Sequence, residues 1–514
     1  MPRITAMFVT NFSQYVNSST WVLLPMVAVF VSVFSFTRYI VKSYFNRNLL
    51  KEPPGPWGLP IFGYLLFLKR SSHLKLTKLG KKFGSIYQIF LGSKRVVVVS
   101  DPKLVREAFR QSIFSGRPDT SLTRLMDGYG IINSGGKLWL EQRAFLHSVL
   151  REFGARNMGP NRTSLELNIQ NQVSELLASL STRKGAKVYV RPVIARAVSN
   201  VVGTMLMSVT FDESDEGFKR LLYLIEDGFK HLTVAVPVNF MPVLRYLPIV
   251  RSAYKKIQSN KKETDAYFAQ VARRHKETLD PENVRDFVDA FFVKQAEVKH
   301  QNKETFFSDE QLHQVMGDVF SAGLETVTST LEWSVVFLVR HKAVQRRFQE
   351  EIDDVIGSER RPELSDLPHM PYAEAFILEV LRRANVIPLG NSHATLQDTQ
   401  LGGYFIPEGT HIIPNLWSIH MDPNLWDSPE EFRPERFLVD GAVVKPQHFM
   451  PFSVGRRMCV GDILTKMEVF LFLTGLLQKF DLEVPADEEL PNLDADTHVS
   501  LSAKPFNVCA FPRE

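Results

Sequence analysis

Phe452-Ser453-Val454-Gly455-Arg456-Arg457-Met458-Cys459-Val460-Gly461-Asp462 is a glycine-punctuated loop that delivers one cysteine to the start of an apolar helix expected over about Asp462 to Lys479. That placement has a chemical use. A helix amino terminus and nearby arginines favour thiolate over thiol, and Gly455 and Gly461 let the backbone approach a flat cofactor closely. Amide donors aimed at the sulfur would tune its basicity as a metal ligand. The competing reading is a buried structural cysteine, the commoner fate of a lone Cys. Cys509 is the only other cysteine, which leaves too few for a disulfide scaffold or a multi-cysteine zinc or iron–sulfur site and points to a reducing compartment.

Upstream of the loop, Glu379-Val380-Leu381-Arg382 puts an acid and a guanidinium at i and i+3 on one helix face, where they can join a charge network, and Pro434-Glu435-Arg436-Phe437 follows it. Ala322-Gly323-Leu324-Glu325-Thr326 lies inside a helical run from about Ser308 to Val339. A glycine with a small neighbour leaves room for a small ligand against the helix, a threonine hydroxyl can hydrogen-bond it, and a glutamate can relay protons. Without such a ligand the same residues are helix packing with a slight bend. Trp139-Leu140-Glu141-Gln142-Arg143 spaces an indole donor and a guanidinium four apart.

The rest of the chain supports one large, mainly helical body. Ser85 to Leu91 and Arg95 to Val99 read as a hairpin joined through Gly92-Ser93-Lys94, helical periodicity dominates from about Pro102 to Arg383, and prolines at 388, 407, 414, 423, 429, 434, 446 and 451 then break the pattern. A final β-like segment surrounds Lys504 to Cys509, and no repeat or interdomain linker is visible. The 44% apolar and 23% charged make-up is that of a globular protein, and a net charge of +5 over 514 residues, with no basic cluster interleaved with aromatics, argues against nucleic acid.

The amino terminus reads differently. No charged side chain falls between Ile4 and Thr37, and residues 21–41 are long and apolar enough to cross about 30 Å of hydrocarbon. Arg38, Lys42, Arg47 and Lys51 follow the span while only Arg3 precedes it, which predicts a lumenal segment over 1–20, a basic and Pro-rich linker over 42–63 and a cytosolic domain over 64–514.

The cysteine loop is similar to F-x-x-G-x-R-x-C-x-G, the haem-binding loop of the cytochrome P-450 superfamily, at Phe452, Gly455, Arg457, Cys459 and Gly461. The remaining pieces fall in the family's order. The resemblance implies haem b with Cys459 as axial iron ligand, and Arg457, Trp139, Arg143 and His393 at its propionates. It also implies an oxygen-activating motif at Ala322, Gly323, Glu325 and Thr326, and a structural triad of Glu379, Arg382 and Arg436. Val327 departs from the Thr or Ser that many relatives carry. The implied fold is a triangular, mainly α body with small β-sheets, its haem between the oxygen-binding helix and the cysteine-loop helix.

Segments Arg117 to Ile132, His231 to Leu247, Val386 to Gly390 and Asp496 to Leu501, with the oxygen-binding helix, would line the substrate pocket. Stretches such as GYGIINSGGKLW and HMDPNLWDSPEEFRPERF resemble the animal microsomal branch, and within it arthropod ecdysteroid 26-hydroxylases. Their near relatives, ecdysteroid 25-hydroxylases and broad-specificity xenobiotic monooxygenases, share every motif above. Electrons would come from NADPH through a separate reductase, possible helpers including cytochrome b5, because the chain has no glycine-rich dinucleotide fingerprint. Lys137, Arg456 and Lys466 are candidate docking positives. A haem-thiolate isomerase or dehydratase, and a non-catalytic haem or sterol carrier, are the rival readings.

Overall fold

The computed structural model describes residues 37, 51–68, 71–156, 162–301 and 304–513. Apart from Thr37, the expected lumenal segment and membrane anchor lie outside the described residues. Among the described residues no helix is long and apolar enough to cross a membrane.

The helix Asp309–Arg340 is the axis of the molecule. Ser308 begins it by accepting a hydrogen bond from the Gln311 amide, satisfying a donor that the first turn leaves without a partner. Every residue from Val327 to Val339 is buried, so this half runs through the core with no solvent face. Helices Val190–Met207, Pro248–Glu277, Pro371–Ala384 and Asp462–Lys479 pack around it.

The small sheet near the amino end is built from distant parts of the chain. Ile86–Leu91 pairs with Lys94–Val99 across a two-residue turn at Gly92 and Ser93, so Lys94 belongs to the strand and not to the turn. Gly92 has a φ of +57°, and a Cβ there would lie 2.6 Å from the Phe240 carbonyl oxygen, so only glycine fits. The second strand then runs parallel to His411–Pro414, whose other edge takes His393–Ala394. A second sheet joins Phe480–Glu483, Asn507–Pro512 and Val188–Tyr189. The strand expected around Lys504 therefore starts at Asn507, after the hairpin Ala495–Thr497 with Leu501–Ala503.

Part of the expected linker packs onto the first sheet. Glu52 and Pro53 are buried, Glu52 is ion-paired to Arg95 at 2.9 Å, and the Gln88 amide donates to the Pro54 carbonyl at 2.8 Å.

Candidate functional site

The cysteine loop closes on itself before its helix begins. The Cys459 amide donates to the Phe452 carbonyl at 3.0 Å, and the Gly461 amide is hydrogen-bonded to the thiol. Burial, with the charge of Asp462, holds the thiol pKa above its ordinary value, and that amide with the charges of Arg143 and Lys466 offsets the rise only in part. Protein surrounds the sulfur, yet Cys459 is exposed, so it fronts an internal surface. At Gly455 φ is +79° and a Cβ would lie 2.1 Å from the Phe109 carbonyl oxygen. Gly461 is different: a Cβ there would meet nothing within 4 Å, so the protein's own packing does not require glycine.

Three guanidiniums converge beside this loop. Arg457 donates to the carbonyls of Ser115 at 2.9 Å and Ser134 at 2.7 Å and lies 3.8 Å over the Trp139 ring. Arg143 donates to the Met458 carbonyl, and Arg117 to those of Ile132 and Ser392, both at 2.8 Å. Burial, with Arg117 and Arg143 alongside, pulls the Arg457 pKa down to about 8, and burial with Arg143 pulls that of Arg117 down to about 10. Among the described residues none of the three has a carboxylate partner. A guanidinium holds its proton in proteins, so the depression measures an uncompensated charge that an anionic ligand would relieve.

Trp139 and His393 belong to the same cluster. The Trp139 Nε1 is buried with no hydrogen-bond partner. His393 stacks on Phe109 at 3.7 Å between ring centroids, and its Nδ1 donates to the Phe114 carbonyl at 2.8 Å. Burial, with the charges of Arg117 and Arg457, lowers its pKa to about 3, so the ring is neutral. An unpartnered indole donor, three unneutralised guanidiniums, an inward-facing thiol and a glycine with clear space above it together fit a flat, dianionic, iron-bearing group such as haem.

Glu379, Arg382 and Arg436 meet inside the protein. Arg382 grips both Glu379 oxygens at 2.8 Å, and Arg436 Nε donates to Oε1 at 3.0 Å. The Arg433 amide adds a bond to the same carboxylate at 2.9 Å, and Arg382 also holds the His420 carbonyl at 2.8 Å.

On the central helix the four expected residues do not share one task. Thr326 Oγ1 donates back to the Ala322 carbonyl at 2.7 Å. The missing side chain of Gly323 faces Val202, where a Cβ would stand 3.1 Å from Cγ2, so this glycine also serves close packing against Val190–Met207. The Glu325 carboxylate is turned to Arg191 at 2.8 Å and to the Ser500 and Ser329 hydroxyls at 2.8 and 3.3 Å.

Sequence reasoning missed Arg117 as a site residue, Arg191 altogether, and Asp318. The half-buried Asp318 carboxylate accepts from the Ile131 amide at 2.8 Å and the Ile132 amide at 3.0 Å, tying the loop beneath Arg457 to the central helix. Only Arg117 carried a local signal, an arginine between Gly116 and Pro118. The pocket segments do touch one another: the Leu122 amide bonds Asn239 Oδ1 at 2.9 Å, and the Leu501 amide bonds the Val386 carbonyl at 2.8 Å. The apolar segment His231 to Leu247 divides, with Ala235 and Val238 buried and Val243, Tyr246 and Leu247 exposed. Lys137 and Arg456 are exposed, whereas Lys466 is paired with Asp462 at 3.3 Å.

The family model for cytochrome P450 matches residues 53–510. The chain is 42% identical over 485 residues to cytochrome P450 18a1 of Drosophila melanogaster, covering 93% of this chain and 90% of the relative. It is 36% identical to human cytochrome P450 2U1, over 90% of each chain, and 36% identical to human cytochrome P450 2D6, over 96% of this chain and 99% of the relative.

Proposed function

Since this chain belongs to the cytochrome P450 family, a family of haem-b monooxygenases that act on lipophilic substrates with electrons from a redox partner, we propose that it hydroxylates a steroid at the endoplasmic reticulum membrane. The reaction we assign is ecdysteroid side-chain 26-hydroxylation, which inactivates the hormone. The observation that carries the haem site is the set of three guanidiniums without carboxylates, Arg457 buried and Arg117 and Arg143 half-buried, around an inward-facing cysteine.

Cys459 would hold the iron of a haem, and haem when bound would supply dioxygen activation, favoured by the electron density of a thiolate ligand. Arg117, Arg143 and Arg457 neutralise the propionates, and Trp139 Nε1 offers them a further donor. Thr326 presents its hydroxyl on the central helix, and Glu325 moves protons toward it. Glu379, Arg382 and Arg436 hold the polypeptide beneath the cysteine loop. Electrons come from NADPH through a flavoprotein reductase, with cytochrome b5 as a second donor, and exposed Lys137 and Arg456 suit an acidic docking surface.

The membrane reading rests on the apolar run at 21–41 and on exposed side chains of the body. Trp57, Ile61 and Phe67 are exposed in one segment, and Val243, Tyr246 and Ile249 in another. Gly92 contacts Phe62 in the first segment and Phe240 just ahead of the second, which supports placing the two apolar stretches near one another.

Co-expression with a P450 reductase, followed by mass analysis of a steroid panel including ecdysone and its precursors, tests the assignment. Oxygen insertion at the terminal side-chain carbon is expected. Insertion one carbon inward would make it a 25-hydroxylase, and activity confined to unrelated small lipophiles would remove the steroid assignment.

A further inference from the structure

One guanidinium holds three carboxylates beside the oxygen-activating segment. Arg191 reaches Glu332 through Nη1, Glu325 through Nη2 at 2.8 Å and Glu226 through Nε at 3.3 Å. The side chain of Glu332 is 0% exposed, that of Glu325 7% and that of Glu226 44%, so the cluster runs from the interior to solvent. Glu325 and Glu332 stand two turns apart on one helix face and bind neighbouring nitrogens of a planar group. The carboxyl groups are therefore side by side.

Their surroundings differ. One Glu325 oxygen takes hydrogen bonds from Ser500 and Ser329 and the other from Arg191. Glu332 Oε1 is buried without any partner. If all three acids were ionised, two negative charges would go unbalanced at a largely desolvated site, an arrangement that one bound proton relieves. The oxygen lacking any donor is where that proton costs least.

We propose that Glu332 carries a proton in the resting protein and passes it to Glu325, with Arg191 holding the two carboxyl groups together and Glu226 restoring the proton from solvent. The Glu332 O–H bond breaks, an O–H bond forms on the Glu325 carboxylate beside Thr326, and a hydronium ion from solvent at Glu226 gives up the replacement proton, leaving water. Arg191 is a positioning residue, since its own proton stays in place. Burial pushes the Glu332 carboxyl up to about 7, against the pull of Arg191 and with the help of the negative charges of Glu325 and Glu226. Tyr189, which also feels Asp496, is the other titratable neighbour among the described residues.

The inference rests on the proton-relay reading of Glu325 but is tested apart from it. Infrared difference spectra of the full-length protein at pH 6, wild type minus Glu332→Gln, should show a protonated-carboxyl band that shifts in D2O; other carboxyl groups, buried Glu468 among them, contribute to both spectra and cancel. In Glu226→Gln the same band should persist but disappear at lower pH, because a nearby negative charge is gone. With reductase present, Glu332→Gln should form about three- to tenfold less product per NADPH and more hydrogen peroxide. Arg191→Lys should retain more of that coupling than Arg191→Gln. Absence of a lost carboxyl band in folded Glu332→Gln overturns the proposal. If that variant does not fold, an unmoved midpoint in Glu226→Gln overturns it. The monooxygenase reading fails separately, if wild-type protein loaded with haem lacks the red-shifted Soret band with carbon monoxide.

Discussion

At Glu379 a single buried carboxylate receives Arg382, Arg436 and the Arg433 amide. Glu379→Gln would strand two guanidiniums in the interior, at a cost of about 3–5 kcal/mol. Urea unfolding should show an earlier midpoint, and the variant should be isolated with less haem. Gly455→Ala should also be poorly tolerated, because its left-handed backbone and the Phe109 carbonyl 2.1 Å from the added Cβ both oppose a side chain. A fall in thermal midpoint measures this, whereas Gly461→Ala, with nothing within 4 Å of its Cβ, should fold normally and show its defect in haem content. Thr326→Ala should consume NADPH with less hydroxylated product. A carrier protein would show no change. The motif residues at this scale were readable because each pattern is short and local. Arg117, Arg191 and Asp318 were not, because what makes them matter is a partner across the fold.

Helix boundaries depend on local chemistry too. The central helix was expected over about Ser308 to Val339 and runs Asp309–Arg340 because Ser308 is its cap, and the helix after the cysteine loop runs Asp462–Lys479 as expected. A junction that the sequence did not reveal joins two other helices. His275, near the end of Pro248–Glu277, donates through Nε2 to Asp286 at 2.8 Å, and Asp286 caps Phe287–His300. Burial opposes protonation of His275, but the hydrogen bond and charge of Asp286 outweigh it and raise the pKa. The folded pKa being the higher, this contribution is complete below the unfolded value of about 6.5 and is lost as pH rises through the folded pKa. His275→Gln should therefore lower stability by about 1.5–3 kcal/mol at pH 6 and by less at pH 8. Thermal midpoints of both proteins across that range would show the gap closing.

Over the whole molecule, Gly92 lies against Phe62, within the 57–67 segment, and against Phe240 and Met241, just ahead of the 243–249 segment, and both segments carry exposed apolar side chains. If this side rests in lipid, Trp57 fluorescence, isolated by difference from Trp57→Phe, should be quenched by lipids brominated on their acyl chains and not by an aqueous quencher. The reverse result would put that surface in water. From the sequence alone came the expectation of a cysteine ligand loop, an acid–threonine pair and a Glu-x-x-Arg helix face, together with the mainly helical class, all of which depend on spacings of a few residues. Only the tertiary structure decided that the first hairpin pairs with a strand more than three hundred residues later, that Arg117 joins the site's cations, and that Arg191 gathers Glu325 with two further acids, Glu226 and Glu332. Those outcomes follow from which buried charges and strand edges find partners once the chain has packed, and no local spacing encodes that choice.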